Sequence, residues 1–302
     1  FRIDYLQMMH SKEGIADADI PAIDRERAMM DPRRITEVTK YVLEHFDQKT
    51  KRSFYYDYRK ITNISESIMH RGDEEKITTK LNGFNSIFAT SSISMAKLYY
   101  NEFKKQLAGS GKKLKIATIF SFTANEDLDD TSGFMGDEDV DTSTLDQSSR
   151  DFLDSAIADY NKMFNVDYDT SSDKFQNYYK DVSMRMKNRE LDLLIVVNMF
   201  LTGFDATTLN TLWVDKDLKM HGLIQAFSRT NRILNSIKTY GNIICFRNLQ
   251  NKVDDAVALF GDKEASGIVL LKTFGEYFNG YDEPNGKHVD GYTDLINKLY
   301  KN

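Results

Sequence analysis

The run LDLLIVVN at 191–198 sets five aliphatic residues side by side, Leu193 to Val197. A strand with one wet face alternates apolar and polar residues, whereas a strand covered on both faces does not. Such a run therefore needs partner strands beside it and helices above and below it. Four other short apolar runs are the natural partners: FNSIFAT (84–90), LKIATIF (114–120), TLWVD (211–215) and GNIICF (241–246). Helical spacing fills the gaps between them. Ile93, Ala96, Tyr100, Phe103 and Leu107 mark one helix. Phe152, Ala156, Tyr160 and Met163 mark a second, and Phe175, Tyr178, Val182 and Met186 a third. A further helix is expected around 222–233. Strands alternating with helices predict an α/β fold, a mainly parallel sheet with helices on both faces.

The flanks are less regular. In DPRRITEVTKYVLEHFDQ, Asp31 suits an N-cap and Pro32 the first helical turn. Ile35, Val38, Val42, Leu43 and Phe46 then follow helical spacing. The loop-like SKEGIADADIPAID precedes this helix, and the polar KTKRS and aromatic FYYDY follow it. Beyond 250, VDDAVALF and SGIVLLKTFGEYF read as helical before a tyrosine-rich tail. Three regions are expected: 1–80, 81–250 and 251–302.

Composition narrows the class. The 302 residues are 41% apolar, enough for a sizeable core. A net charge of −6 argues against a basic nucleic-acid coat but leaves room for a local basic groove. The single cysteine, Cys245, lies in an apolar run, which excludes a disulfide framework and a CxxC metal site. The stretch 126–141 carries eight acidic residues and no lysine or arginine, and reads as an exposed insertion. No signal peptide or 18-residue apolar span occurs, so a soluble cytoplasmic protein with no membrane partner is expected. The chain opens on Phe1 and is read as part of something longer.

Two segments carry chemistry. In QAFSRTNR (225–232), helical geometry at about 100° per residue puts Gln225, Arg229 and Arg232 within one stripe of roughly 60°. Leu223, Ile224, Ala226 and Phe227 are left to dock on a sheet. A solvated helix face is the plainer reading of that stripe. However, two arginines with no acidic partner within a turn suit a polyanion, because each guanidinium presents a planar fork of donors to phosphate oxygens. The second segment, VVNMFLTGFDA, directly follows the most apolar run. Ligands of open α/β sheets bind outside the carboxyl ends of strands, where this loop is expected. Gly203 permits close backbone approach, and Asp205 suits sugar hydroxyls or a turn.

Together these segments resemble the second RecA-like lobe of superfamily 2 helicases and translocases. GFD stands at their fifth motif, Gly-x-Asp, and QAFSRTNR at their sixth, Q-x-x-G-R-x-x-R, with Ser228 in place of the usual glycine. LTGFDATTLNTLWVDKDLKMHGLIQAFSRTNRI, IDRERAMMDPRRI and FNSIFATSSISMAKLYYNEF are similar to the motor (R) subunit of type I restriction enzymes. That likeness runs from about residue 1 to 275. Thr207 stands where a proline is expected after GFDA.

The resemblance implies a set of roles. Residues 1–80 would hold the end of a first motor lobe and a helical linker, 81–250 the second lobe, and 251–302 the start of a following helical region. ATP with Mg²⁺ would sit between two lobes, the first supplying the P-loop and the metal-binding acid. Arg232 would be the arginine finger, Arg229 a second phosphate contact, and Gln225 would position phosphate or water. Gly203 and Asp205 would lie near the nucleotide. Double-stranded DNA would cross the opposite rim, with Thr90, Ser91, Ser92 and Thr202 as phosphate contacts, although a helix N-cap accounts equally well for the serines. Further partners would be the nuclease domain of the same subunit and the modification (M) and specificity (S) subunits.

No protein metal site is expected, and no GxxxxGK[ST] occurs: GSGKKLK (109–115) lacks the earlier glycine and the Ser/Thr. The chain alone is therefore expected neither to hydrolyse ATP nor to cut DNA. The alternatives are a lobe of a repair or remodelling ATPase, or a docking module without catalysis.

Overall fold

A computed structural model describes residues 2–6, 28–70, 73–120, 146–201, 203–218, 220–234, 237–260, 278–282 and 288–299. The acidic stretch 126–141, Thr202 and residues 266–277 lie outside the described residues.

The chain begins with strand β1 (Arg2–Tyr5) and helix α1 (Pro32–Lys49). An antiparallel pair follows, β2 (Tyr55–Ile61) and β3 (Lys76–Asn82), with helix α2 (Ile64–His70) between them. Then come β4 (Asn85–Thr90), α3 (Ile93–Ser110), β5 (Ile116–Ile119), α4 (Gln147–Phe164), α5 (Ser172–Lys187) and β6 (Leu193–Val196). The sheet is completed by β7 (Leu209–Asp215), α6 (Met220–Ser228) and β8 (Asn242–Cys245), and α7 (Gln250–Phe260) follows. The last elements are the short pair β9 (Tyr281–Asp282) and β10 (His288–Val289), then α8 (Tyr292–Leu299).

Six strands form one parallel sheet in the order β1-β8-β7-β4-β6-β5. Every residue of β4, β5, β6, β7 and β8 is buried, as the unbroken apolar run at 193–197 requires. The crossover direction supplies the two helical layers. The chain moves one way along the sheet from β4 to β5 and the opposite way from β5 to β6 and from β7 to β8. Right-handed crossovers then put α3 on one face and α5 and α6 on the other, while α4 packs against both α3, where Tyr100 Oη donates to Asp159 Oδ2 at 2.9 Å, and α5, where Tyr160 Oη donates to Asp181 Oδ2 at 2.6 Å. This is the expected α/β architecture, compatible with a RecA-like lobe.

Sequence signals place most boundaries. Asp31 caps α1, its Oδ1 accepting from Arg33 N at 2.8 Å, and Ile35, Val38, Val42, Leu43 and Phe46 are buried along one side. The far end of α1 is stitched to the sheet. Lys49 O accepts from Asn210 Nδ2 at 2.8 Å, Thr211 Oγ1 at 3.0 Å and Asn242 Nδ2 at 2.9 Å. Other features depart from the sequence reading. RIDY, which carried no strand signal, supplies the edge strand β1, paired with β8 from Arg2↔Asn242 to Tyr5↔Cys245. The helix expected to reach residue 233 stops at Ser228.

Residues 1–256 form one compact unit and 257–302 another. Strand β1 and helix α1 thus belong to the same unit as the sheet.

Candidate nucleotide site

The loop that carries Gly203 and Asp205 runs the length of the sheet. Strands β6 and β7 are parallel with no helix between them, so their connection must return from the carboxyl end of one to the amino end of the other. It turns at Asn198, where Leu201 N donates to Asn198 O at 3.2 Å, with Phe200 at φ +67°. It arrives at the opposite end of the sheet. There Leu209 N donates to Ala206 O at 3.1 Å, and Asn85 N, at the start of β4, donates to Thr208 O at 3.0 Å. The expectation of a loop outside the carboxyl ends therefore holds for residues 198–201 and is corrected for Ala206–Thr208, with Gly203 and Phe204 on the path between. A seven-residue strand such as β7 is about 20 Å long. Asp205 and the Thr90–Ser92 turn lie at opposite ends of such strands.

Helix α6 ends where side-chain hydroxyls take its carbonyls. Ser228 Oγ donates to Gln225 O at 2.7 Å, and Thr230 Oγ1 to Phe227 O at 3.0 Å. The following amides bond three residues back: Arg229 N to Ala226 O, Thr230 N to Phe227 O, and Asn231 N to Ser228 O. Thr230 is fully buried against Gly241, where even a Cβ would lie 2.1 Å from its Oγ1. The chain is thereby drawn towards β8 before Arg232. Arg232 consequently lies off the helix, and the single stripe predicted for Gln225, Arg229 and Arg232 is corrected: only the first two are positioned by α6 or its final turn.

The segment nevertheless brings the predicted residues to one place. Arg232 Nη2 lies 2.7 Å from Asp205 Oδ2 in a pair that is 62% and 50% exposed. Arg229 donates from Nη1 to Phe204 O at 2.9 Å and from Nε to Gln225 O at 3.1 Å. Gln225 is half-buried on α6. Gly203 adopts φ +66°, the left-handed region that favours glycine, and a Cβ there would point into open space. Arg232 does have an acidic partner, Asp205, supplied from a distant loop, whereas Arg229 bonds only backbone carbonyls among the described residues.

Lys238 is a member of this cluster that sequence reasoning did not single out. It is fully buried and donates from Nζ to Thr207 O at 2.9 Å. Three basic side chains from residues 229–238 thus hold Phe204, Asp205 and Thr207 in turn. Lys51, whose Nζ donates to Ile237 O, stands behind Lys238. Burial pushes the Lys238 ammonium down to about 7; Asp205 opposes that fall, and Arg232 and Lys51 add to it. Among the described residues, four basic side chains gather around a loop that carries one carboxylate.

The other end of the sheet holds a charged interior. Asp215, the last residue of β7, accepts from Arg34 Nη1 and Nη2, both at 2.7 Å, from Tyr99 Oη at 2.6 Å and from Arg247 Nε at 3.1 Å. Burial alone would raise its carboxyl, but the hydrogen bonds and charge of Arg34, the charge of Arg247 and the Tyr99 hydroxyl together hold it below the ordinary range. Arg247 also donates to Ser91 Oγ at 3.1 Å. Ser92 caps α3, accepting from Met95 N at 3.2 Å, which is the plainer of its two expected roles. Thr90 is fully buried and donates to Val196 O at 3.1 Å, so its hydroxyl is engaged inside the sheet. Thr202 lies outside the described residues.

Among the described residues, ligand atoms of His288, Asp290 and Asp294 lie within 4.8 Å of one another. Asp290 is paired with Lys298, and Asp294 accepts from Gly291 N at 3.0 Å. No helix of the described residues is long and apolar enough to cross a membrane.

The fold and this cluster define an α/β protein with a basic, partly open site at the amino end of its sheet. Residues 82–248 match the family model described as type I restriction enzyme subunit R domain 3. The chain is 32% identical over 299 residues to the type I restriction enzyme SauMRSORF196P endonuclease subunit of Staphylococcus aureus, covering 98% of this chain and 27% of that protein. It is 32% identical over 281 residues to the SsaAORF53P endonuclease subunit of Staphylococcus saprophyticus, covering 92% of this chain and 26% of that protein. A 43% identical match covers 34% of the chain and 27% of a putative type I restriction enzyme MpnIIP endonuclease subunit, N-terminal part, of Mycoplasma pneumoniae. The chain belongs to the R-subunit family of type I restriction enzymes, and it spans about a quarter of the length of the first two relatives.

Proposed function

We propose that this region is the second motor lobe of an ATP-dependent double-stranded DNA translocase within a type I restriction R subunit. The observation that carries this reading is the pairing of Arg232 with Asp205 beside Arg229, Lys238 and Lys51. Both partners of the pair are at least half exposed, so Arg232 can exchange a carboxylate for a phosphate without first uncovering a buried charge. The surplus of positive charge suits a polyanion. The open space above Gly203 leaves room for one.

In this reading Arg232 stabilises charge on a transferring phosphoryl group, and Arg229 keeps the loop in place while touching a second phosphate oxygen. Gln225, one turn before Arg229, positions phosphate or water, and Asp205 accepts from ribose hydroxyls once Arg232 has left it. The chain has no P-loop of its own, so the first lobe would supply that loop and the Mg²⁺-binding acid. Bound ATP-Mg²⁺ supplies the phosphoryl group whose hydrolysis drives movement. DNA would pass the carboxyl end of the sheet near Ser91 and Ser92, with cleavage in the nuclease domain and site choice in the M and S subunits.

The test is Arg232→Ala in the full-length subunit assembled with its M and S partners. DNA-stimulated ATP hydrolysis should fall by about 10³-fold or more while DNA binding is retained. Unchanged hydrolysis would remove the finger assignment. The 302-residue chain alone should neither hydrolyse ATP nor cut DNA.

A further inference from the structure

We propose that Lys238 is an anion-responsive residue of this site, a buried amine that backs the Phe204–Thr207 loop and takes up a proton from solvent when a nucleotide polyphosphate docks against Arg232. This rests on the nucleotide reading above and adds a residue that lies outside both sequence motifs.

Asp205 is the one carboxylate in the cluster, and Arg232 is its 2.7 Å partner. A phosphate that draws Arg232 away leaves Asp205 without that partner and adds negative charge of its own. Lys238 is placed to respond. It holds Thr207, two residues after Asp205, and its side chain is wholly enclosed. Among the described residues its ammonium has one hydrogen-bond acceptor, the Thr207 carbonyl, although it carries three N–H donors. A buried ammonium so thinly solvated is costly to keep charged, and nearby negative charge lowers that cost.

The charged or titratable groups around Lys238 come from each neighbouring element. They are Asp205 on the loop, Arg229 and Arg232 after α6, Lys51 after α1, and Tyr58 of β2, whose hydroxyl lies 3.3 Å from Thr207 Oγ1. The resting balance favours the neutral amine around and above neutral pH, because burial, Arg232 and Lys51 together outweigh Asp205. Arrival of a polyphosphate reverses that balance. The reaction is a simple protonation: the Nζ lone pair takes H⁺ from water or buffer, and no covalent bond to the ligand forms.

Calorimetric titration of the full-length subunit with the magnesium complex of a non-hydrolysable ATP analogue, in buffers of different ionisation enthalpy, reads the proton directly. Near pH 8 the wild type should take up a substantial fraction of a proton per nucleotide, approaching about one, and uptake should fade towards pH 6, where Lys238 is already charged. Phosphate groups, whose last proton leaves at about pH 6, can only release protons on binding cations, which is the opposite sign. Lys238→Met should bind with no uptake at pH 8. Binding without uptake in the wild type, or equal uptake in the variant, overturns the proposal and leaves the nucleotide reading standing. No nucleotide binding by the wild type overturns both. If the variant does not fold, the wild-type pH profile alone decides, since its absence at pH 8 is fatal.

Discussion

Arg34 and Asp215 meet through two hydrogen bonds of 2.7 Å, with side chains only 4% and 0% exposed. Arg34 Nη2 also donates to Phe246 O at 3.0 Å, so α1 is tied to the carboxyl ends of both β7 and β8. One carboxylate balances two buried guanidiniums here, Arg34 and Arg247. Removing it is therefore worse than removing a surface charge. Asp215→Ala should lower unfolding free energy by about 3–5 kcal/mol, read by urea denaturation. The pH dependence has a definite sign. The folded carboxyl is held below its ordinary value, so its contribution is whole above about pH 4 and is lost as pH falls through the lowered folded value.

Arg232 and Arg229 should part company on mutation. The Arg232–Asp205 pair is exposed, so Arg232→Ala should move stability by less than about 1 kcal/mol while removing ATP hydrolysis. Arg229 braces the Phe204 carbonyl, which is a structural hold as well as a candidate phosphate contact. Arg229→Ala should cost about 1–3 kcal/mol of stability and also raise KM for ATP. Thermal melts beside steady-state kinetics in the assembled enzyme separate the two. Equal stability losses would remove the distinction.

Gly241 controls where Arg232 can stand. A Cβ at this position would fall 2.1 Å from Thr230 Oγ1 and 2.6 Å from Thr230 O. Gly241→Ala should therefore push residues 229–232 outward, costing about 1–3 kcal/mol and impairing hydrolysis. Thr230→Gly in the same chain removes both colliding side-chain atoms and should restore part of the loss. No rescue by the double variant would place the damage elsewhere.

Lys238 makes a prediction for the chain without ligand. Its folded value, about 7, lies below that of an unfolded lysine, so between the two the unfolded chain binds more protons. Stability should therefore rise with pH from about 7 upward, by up to a few kcal/mol, until tyrosine ionisation near pH 10 reverses the trend. Lys238→Met should flatten that rise. Denaturation midpoints at pH 6.5 and 9 check it.

The architecture was legible because its signals are local. Five consecutive aliphatics at 193–197 demanded a sheet covered on both faces, and the capping residues Asp31 and Ser92 stand at helix starts. What escaped was set by distance along the chain. RIDY has no strand pattern of its own and becomes a strand only because β8 offers it an open edge. Nothing in LTGFDATT says how far the loop after β6 must travel; the parallel pairing of β4 with both β6 and β7 dictates that. Helical angles likewise could not foresee that Thr230 would dive towards Gly241 and end the helix before Arg232. Lys238, a single lysine in a polar stretch, left no pattern to read.

The pairing of β1 with β8 has a consequence for the order in which the chain is made. Arg2 leaves the ribosome 240 residues ahead of its register partner Asn242. At about 5–20 residues per second, the first strand waits roughly ten to fifty seconds for the edge it will occupy. Over that interval the β8 edge is not there to cover it, and a strand without its partner is open to pairing with a stranger. Its own sequence meets the hazard: Arg2 and Asp4 set charge on alternate positions of a strand only four residues long.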